Sequence, residues 1–102
     1  MISRHWRGLA QPDRATEYEA HLRNDTFPAL KRIPGFVDAS ILKRAVENGV
    51  EFLVISRWRS LEAIAQFAGD DVETAVVPAN VQSMMIEYDE RARHYETIDG
   101  DG

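Results

Sequence analysis

Two strand-like segments joined by a turn constrain the fold of this 102-residue chain more than any other feature of its sequence. "GFVDASILKRAV" (residues 35–46) and "VEFLVISRW" (residues 50–58) flank the dipeptide Asn48-Gly49. This dipeptide suits a two-residue type I′ turn, because both central positions of that turn need positive φ. The pattern predicts an antiparallel hairpin with Asn48 and Gly49 as its loop, which sets Phe52 opposite Ala45 and Trp58 opposite Ala39.

Neither face of the second strand is built for water. Phe52, Val54 and Trp58 share one face and Leu53 and Ile55 the other, since successive strand residues point to opposite sides. Helices are expected to cover the face of Trp58. The other face of the hairpin mixes apolar and charged side chains, which is typical of a surface that meets a partner. Its residues are Phe36, Asp38, Leu42, Arg44, Leu53, Ile55 and Arg57. A second copy of the chain is the simplest cover, because a symmetric dimer needs only one self-complementary patch.

The segments before the hairpin read as a strand and a helix. "ISRHWRGL" (residues 2–9) alternates loosely and ends in a turn-prone region, which predicts a strand. From Pro12, apolar residues at helical spacing predict a helix that runs to about residue 30. Asn24 and Pro28 predict a break in that helix over residues 24–28, and Pro34-Gly35 predicts its end.

Three elements are expected after the hairpin. Residues 60–69 predict a helix with Ser60 as its N-cap and Gly69 as its stop. Residues 78–89 place Val81, Met84, Met85 and Tyr88 at i, i+3, i+4 and i+7, which predicts a third helix. Residues 91–98 read as a last strand.

The resulting order βαββαβ predicts an α+β fold. Its simplest form is a ferredoxin-like sandwich, with one antiparallel four-stranded sheet that carries its helices on one side. We expect a single domain over residues 1–102, with an ordered core at about 2–98 and a frayed tail at 99–102. Pairing of two sheets through their bare faces would give a dimeric α+β barrel.

The composition of the chain limits its possible partners and its cellular setting. A formal net charge of -5 argues against nucleic acid, whose binding depends largely on Lys and Arg. The chain has no cysteine, so disulfides and thiolate nucleophiles are excluded, and a reducing cytoplasm is the expected setting. No apolar run approaches the roughly 18 residues that a membrane span needs. The N-terminal segment has charges where a signal peptide needs an apolar region.

The chain resembles the antibiotic biosynthesis monooxygenase-like family of dimeric α+β barrels. The resemblance rests on "IPGFVDASI", on "FLVISRWRSLEAIAQFAG", where a strand ends in Trp and a Ser-capped helix follows, and on "AVVP" and "EYDERARHYE". It implies the fold over nearly the whole chain. It also implies a small-molecule pocket between sheet and helices, with Trp58 in its wall.

The resemblance implies two possible reactions, cofactor-free oxidation and haem degradation, and the residues of this chain match the two to different degrees. Cofactor-free members oxidise polycyclic phenols or anthrones, but Val54 and Ile64 stand where those oxygenases have a pocket Asn and a pocket Tyr. Haem-degrading members use a Trp and a His on or after the second helix, and this chain has neither between Ser60 and Arg93. Haem degradation is therefore disfavoured, and no cofactor is expected.

Aromatic and aliphatic side chains are candidates for binding a small molecule. Trp58 is expected to stack on an aromatic substrate, with the alternative that it fills the core. Tyr18, on the first helix, and Val54, on the same strand face as Trp58, are also candidates for substrate binding. Met84 could line an adaptable pocket, with core filling as its alternative.

Two histidines are candidates for acid and base chemistry. His21 lies beside the apolar stripe of the first helix, near Tyr18 and Asp25 at helical spacing, and could remove a phenolic proton. His94 could do so from the last strand, or could converge with Glu96 and His5 on a paired first strand. For both, the alternative is an ordinary half-exposed side chain, and no metal site is expected.

Two functions remain open. One is a small monooxygenase without a permanent cofactor, because a deprotonated electron-rich aromatic can supply its own electrons to dioxygen. The other is a dimeric, non-catalytic module that binds a small apolar ligand or acts in stress, which the apolar Val54 and Ile64 favour. A pocket below roughly 300 Å³ would also favour the second.

Overall fold

The structure, a computed structural model, describes residues 1–100. The last two residues of the predicted tail lie outside this range. The elements are β1 (Ile2–Ala10), α1 (Ala15–His21), a π-helical turn (Leu22–Thr26), α2 (Phe27–Leu30), β2 (Phe36–Val46), β3 (Gly49–Trp58), α3 (Leu61–Ala68), α4 (Ala79–Gln82), β4 (Met85–Tyr88) and β5 (Arg93–Glu96).

All five strands form one antiparallel sheet in the order β2-β3-β1-β4, with β5 also paired to β1. β4 pairs with the end of β1 at Gly8–Ala10, and β5 pairs with its beginning at Ile2–His5. The predicted ferredoxin-like α+β fold is confirmed. The predicted strand count is corrected from four to five, because two short strands share one edge of β1.

The predicted third helix is wrong beyond Gln82. Pro78 precedes α4 as expected, but Met85–Tyr88 is a strand whose Met85 and Tyr88 pair with Ala10 and Gly8 of β1. Without this pairing, β1 would leave a row of backbone N–H and C=O groups without partners. Sheet completion therefore outweighs the helical spacing of the apolar residues.

The hairpin is confirmed, but its register differs from the prediction. Val46 pairs with Gly49, so Glu47 and Asn48 form the turn, and Ala45 faces Val50. No non-glycine residue among 1–100 has positive φ, which excludes a type I′ turn. Gly49 instead begins β3, where an added Cβ would lie 2.3 Å from the backbone oxygen of Ala10. The shift is two residues, so the side chains from Asp38 to Val46 keep their predicted face. Phe36 does not: a bulge between Phe36 and Asp38 sets it opposite Trp58, and it packs on the inner face and not on the predicted outer one.

The helical segment between β1 and β2 widens where a break is predicted. The N–H of Phe27 donates to the carbonyl of Leu22, five residues earlier, and this π-helical turn comes just before Pro28. Proline has no N–H to offer an α-helical carbonyl, and the widened turn accommodates it. The helix continues into α2 without interruption.

The α3 helix follows its sequence signals. Ser60 caps its start, because the Ser60 Oγ accepts a hydrogen bond from the Ala63 N–H at 3.2 Å. Gly69 ends it with φ of 89°, a conformation that favours glycine. Within residues 1–100, none of the helices has the length and apolar character needed to cross a membrane.

Two apolar clusters fill the space between the sheet and the helices. One gathers around Tyr18, Phe52 and Met84, and the other around Trp58, Leu30 and Ile64. Even-numbered residues of β3 face this interior, and odd-numbered residues such as Leu53 face away, as predicted.

Candidate functional site

A cavity of about 230 Å³ lies between the sheet and the helices. Its wall takes residues from both apolar clusters and is mostly apolar. The lining residues are Arg4, Trp6, Tyr18, His21, Leu22, Asp25, Thr26, Ala29, Leu30, Val54, Ser56, Phe67, Val76, Pro78 and Val81.

Trp6 provides an aromatic wall whose position is tightly held. Its indole Nε1 donates to the backbone oxygen of Asp89 at 2.7 Å, and its ring lies 6.1 Å from Tyr18 and 6.4 Å from Tyr88 between centroids. The ring also folds over Gly8, where an added Cβ would be 2.5 Å from the Cη2 atom of Trp6. Glycine at position 8 therefore leaves the space that the indole occupies.

The helical segment contributes Tyr18, His21 and Asp25. The rings of Tyr18 and His21 stack with centroids 6.5 Å apart, and His21 Nδ1 lies 3.2 Å from Asp25 Oδ2. Asp25 belongs to the π-helical turn, which directs it to both the cavity and His21. Burial raises the pKa of Tyr18, so its hydroxyl stays protonated near neutral pH. Tyr18 is thus suited to donate a hydrogen bond, while the imidazole beside Asp25 is suited to accept a proton.

Arg4 brings a positive charge to the cavity. It is 5% exposed and donates to the backbone oxygens of Val72 and Thr74, and its Nη1 lies 2.8 Å from His94 Nε2. Burial lowers the pKa of Arg4 to about 10, so the group remains charged at neutral pH. Its guanidinium carbon also lies 5.8 Å from the centre of the Phe67 ring.

Three of the predicted site residues line the cavity. These are Tyr18, His21 and Val54. Their roles in binding or catalysis stay predictions.

The other three lie elsewhere. Trp58 is fully buried and packs against Phe36 and Phe67, with its Nε1 donating to Ser56 Oγ at 2.8 Å. Its predicted pairing with Ala39 is wrong, because the two-residue register shift sets Ala39 opposite Ser56. A bulge in β2 then sets Phe36 opposite Trp58, so no small residue leaves open volume beside the indole. Met84 is part of the core around Tyr18.

His94 lies against Arg4 and outside the cavity lining. The predicted convergence of His94 with His5 and Glu96 does not occur: His94 pairs with Arg4 across the strands, whereas His5 lies on the opposite face against the Tyr95 ring, 5.0 Å away. Within residues 1–100, no three potential metal ligands lie together.

Arg4 and Trp6 are the site residues that the sequence did not reveal. Both lie on β1 and face the helices, as do the buried residues of β3. Their alternate positions, with Gly8, place them on one face of the strand. That pattern identifies the face that lines the cavity only when β1 is known to lie inside the sheet, paired with β3.

The chain is thus a small ferredoxin-like α+β sandwich with an aromatic-walled cavity under its helices. The sequence profile of the Antibiotic biosynthesis monooxygenase family matches residues 1–76. The chain belongs to this family.

Solved structures agree on the fold. A protein from Bacillus cereus assigned to the antibiotic biosynthesis monooxygenases is 18% identical, with a TM-score of 0.67 over 99% of this chain and 94% of that one. The haem degrader MhuD from Mycobacterium tuberculosis, solved with two haems in its active site, is 18% identical with a TM-score of 0.64 over 100% of both chains. A Streptomyces coelicolor monooxygenase in complex with nanaomycin D is 15% identical, with a TM-score of 0.63 over 98% of this chain and 88% of that one. No curated protein matches the sequence.

Proposed function

We propose that this protein is a monooxygenase that oxidises a small hydroxylated aromatic molecule in the cavity without a permanent cofactor. One observation carries the proposal: His21, with Asp25 at 3.2 Å, opens on a mostly apolar cavity walled by aromatic rings. Apolar walls with a few converging polar groups are typical of sites for small organic ligands.

His21 is the base in this proposal. It removes the phenolic proton, while Asp25 orients the imidazole and stabilises the imidazolium that forms. The phenolate then gives electrons to dioxygen. One oxygen atom enters the ring to give a quinone and the other leaves as water, so the four electrons lost by the substrate reduce one dioxygen molecule. The protein positions the ring and excludes water.

The cavity volume limits the size of the proposed substrate. An apolar cavity of roughly 150 Å³ holds benzene, and sites for drug-sized ligands span roughly 300–1,000 Å³. A cavity of about 230 Å³ therefore suits one or two fused rings better than a three-ring anthrone. The same volume does not enclose a porphyrin, which adds to the case against haem degradation.

Oxygen consumption tests the proposal. We expect uptake with naphthols and dihydroxynaphthalenes, and about 10²–10⁴-fold slower uptake in the His21→Gln variant, the usual range for loss of a general base. His5→Gln is the matched control, because His5 faces away from the cavity. Uptake that stays at the level of buffer, or that is equal in His21→Gln and wild type, would refute the proposal.

The alternative is a non-catalytic module that binds a small ligand or acts in stress. Two observations favour it: the cavity is smaller than roughly 300 Å³, and Val54 offers no polar group to a substrate. In this case naphthols would quench tryptophan fluorescence on binding, yet no oxygen would be consumed. Haem binding is a third possibility. A haem titration followed at the Soret band tests it, and we expect no shift of that band.

We also propose that the chain forms a homodimer through the outer face of the sheet. Leu42 and Leu53 are cross-strand partners on this face and are 49% and 36% exposed. Light scattering after gel filtration should give twice the mass of 11.6 kDa. Leu53→Asp should yield monomers, whereas Leu61→Asp, at an exposed position on α3, should not. A wild-type monomer at micromolar concentration would refute this proposal.

A further inference from the structure

Arg4 is the one charged side chain that is buried within residues 1–100. Its partners are all neutral: two backbone carbonyls and the imidazole nitrogen of His94. No carboxylate of this part of the chain forms an ion pair with it. Burying an unpaired cation is costly, since the group loses its hydration without gaining a counter-charge.

The other cations show how unusual this arrangement is. Arg7, on the same strand, points to the opposite face and binds Glu51 at 2.8 Å. Arg57 and Arg91 likewise form two-pronged contacts with Asp38 and Asp71. The fold thus gives these partly or fully exposed guanidinium groups a carboxylate and leaves its buried one without an anion.

The hydrogen bonds of Arg4 leave part of its donor set free. A guanidinium has five N–H donors, and the three hydrogen bonds use Nη1 twice and Nη2 once. One N–H on Nε and one on Nη2 therefore remain. No fully buried side-chain nitrogen in residues 1–100 lacks a partner, so the free Nε is not sealed in the core. The accessible part of Arg4 belongs to the cavity wall.

We propose that Arg4 binds a carboxylate on the aromatic ligand, so that the substrate class is a hydroxylated aromatic acid. Two free donors on neighbouring nitrogens suit the two oxygens of a carboxylate, which guanidinium binds side by side. Among the described residues, Arg4 is the only arginine or lysine in the cavity wall, and Asp25 adds a negative charge there. One cation matches a singly charged carboxylate better than a phosphate group, which carries about -1.5 to -2.

This inference rests on the proposed function in that it places the same ring in the same cavity. The two assign different parts of the ligand to different residues: the hydroxyl to His21 and the carboxylate to Arg4. His94 positions Arg4, because its Nε2 accepts a hydrogen bond from Nη1.

The experiment compares a hydroxynaphthoate with the matching hydroxynaphthamide, which has the same shape and no charge. Affinities are measured by calorimetry under nitrogen, so that turnover does not intervene. We expect wild type to bind the carboxylate about 10- to 100-fold more tightly, the range for hydrogen bonds to a charged group. Arg4→Gln should remove this preference while leaving the amide affinity within about threefold. Arg7→Gln, the matched control on the opposite face, should keep it.

If Arg4→Gln does not fold, the wild-type protein still decides the question. The Nε–H resonance of Arg4, assigned by its loss in Arg4→Lys, should shift on addition of the carboxylate and not of the amide. No such shift would overturn the proposal.

The outcomes separate this inference from the proposed function. A carboxylate preference that is lost in Arg4→Gln supports the inference even if no oxygen is consumed in air. Equal affinities in wild type, or a preference that survives in Arg4→Gln, overturn it and leave the oxidation of neutral phenols intact. Absence of binding by either ligand overturns the inference and the aromatic site together.

Discussion

Replacing Gly8 by alanine probes the packing of the cavity wall directly. A Cβ added at Gly8 would lie 2.5 Å from Cη2 and 2.8 Å from Cζ3 of Trp6, and 3.0 Å from the sulfur of Met85, whereas ordinary contacts begin at 3.4 Å. The thioether is flexible and can move. The indole is held by its hydrogen bond to Asp89 and by the rings of Tyr18 and Tyr88, so relief of the overlap requires the ring to shift.

The cost has two parts. Overpacking a filled core costs roughly 1–3 kcal/mol, and a weakened indole hydrogen bond costs roughly 0.5–1.5 kcal/mol. Alanine recovers roughly 0.5–1 kcal/mol in a strand, because glycine loses more backbone freedom on folding. We expect Gly8→Ala to lower the free energy of unfolding by about 2 kcal/mol, or the melting temperature by roughly 10 °C for a domain of this size.

A double-mutant cycle isolates the indole as the cause. In a Trp6→Leu background the clash is gone, so Gly8→Ala should be neutral or slightly stabilising. Urea unfolding followed by circular dichroism measures all four proteins. A cost of Gly8→Ala that is equal in both backgrounds would refute the reasoning, since the strain would then arise from the backbone or from Met85.

Two further predictions concern pH and the core. Burial lowers the pKa of His94, with a further lowering by Arg4 and an opposing effect of Glu73, and burial also lowers that of His5. The unfolded chain then binds more protons than the folded chain just below pH 6.5, the ordinary value. Stability should therefore fall as the pH drops below that value, and calorimetry should show a smaller fall in His94→Gln; equal falls would contradict the assignment. Trp58→Phe removes buried atoms and the hydrogen bond to Ser56, so urea unfolding should show a loss of about 1–3 kcal/mol, while naphthol affinity stays within about twofold. A tenfold weaker affinity would place Trp58 in the site after all.

Local signals in the sequence were sufficient for the elements that depend on local physics. The α3 helix has a capping serine and a terminal glycine at its ends, and both act as expected. The alternation of β3 gave the correct interior and exterior faces. The hairpin register differs from the prediction because Gly49 serves a distant contact, the close approach of β1, and not the turn.

The elements that depend on the whole sheet were less predictable. Met85–Tyr88 has helical spacing, but its structure is decided by the unpaired edge of β1. The site residues likewise differ in whether local sequence is enough to place them. Tyr18 and His21 could be placed from the helix alone, whereas Arg4 and Trp6 become neighbours of the helix only through the order of the strands.

The π-helical turn at Leu22–Thr26 rotates the helix that follows it, about the helix axis, relative to the helix that precedes it. An α-helix advances by about 100° per residue, so one additional residue in a turn rotates everything beyond it relative to everything before. The half carrying Tyr18 and the half carrying Leu30 can thus each aim at its own apolar cluster. Deletion of Arg23 or Asn24 would put the two halves out of phase and would change the spacing of His21 and Asp25 from i, i+4 to i, i+3, without removing any residue of the cavity wall.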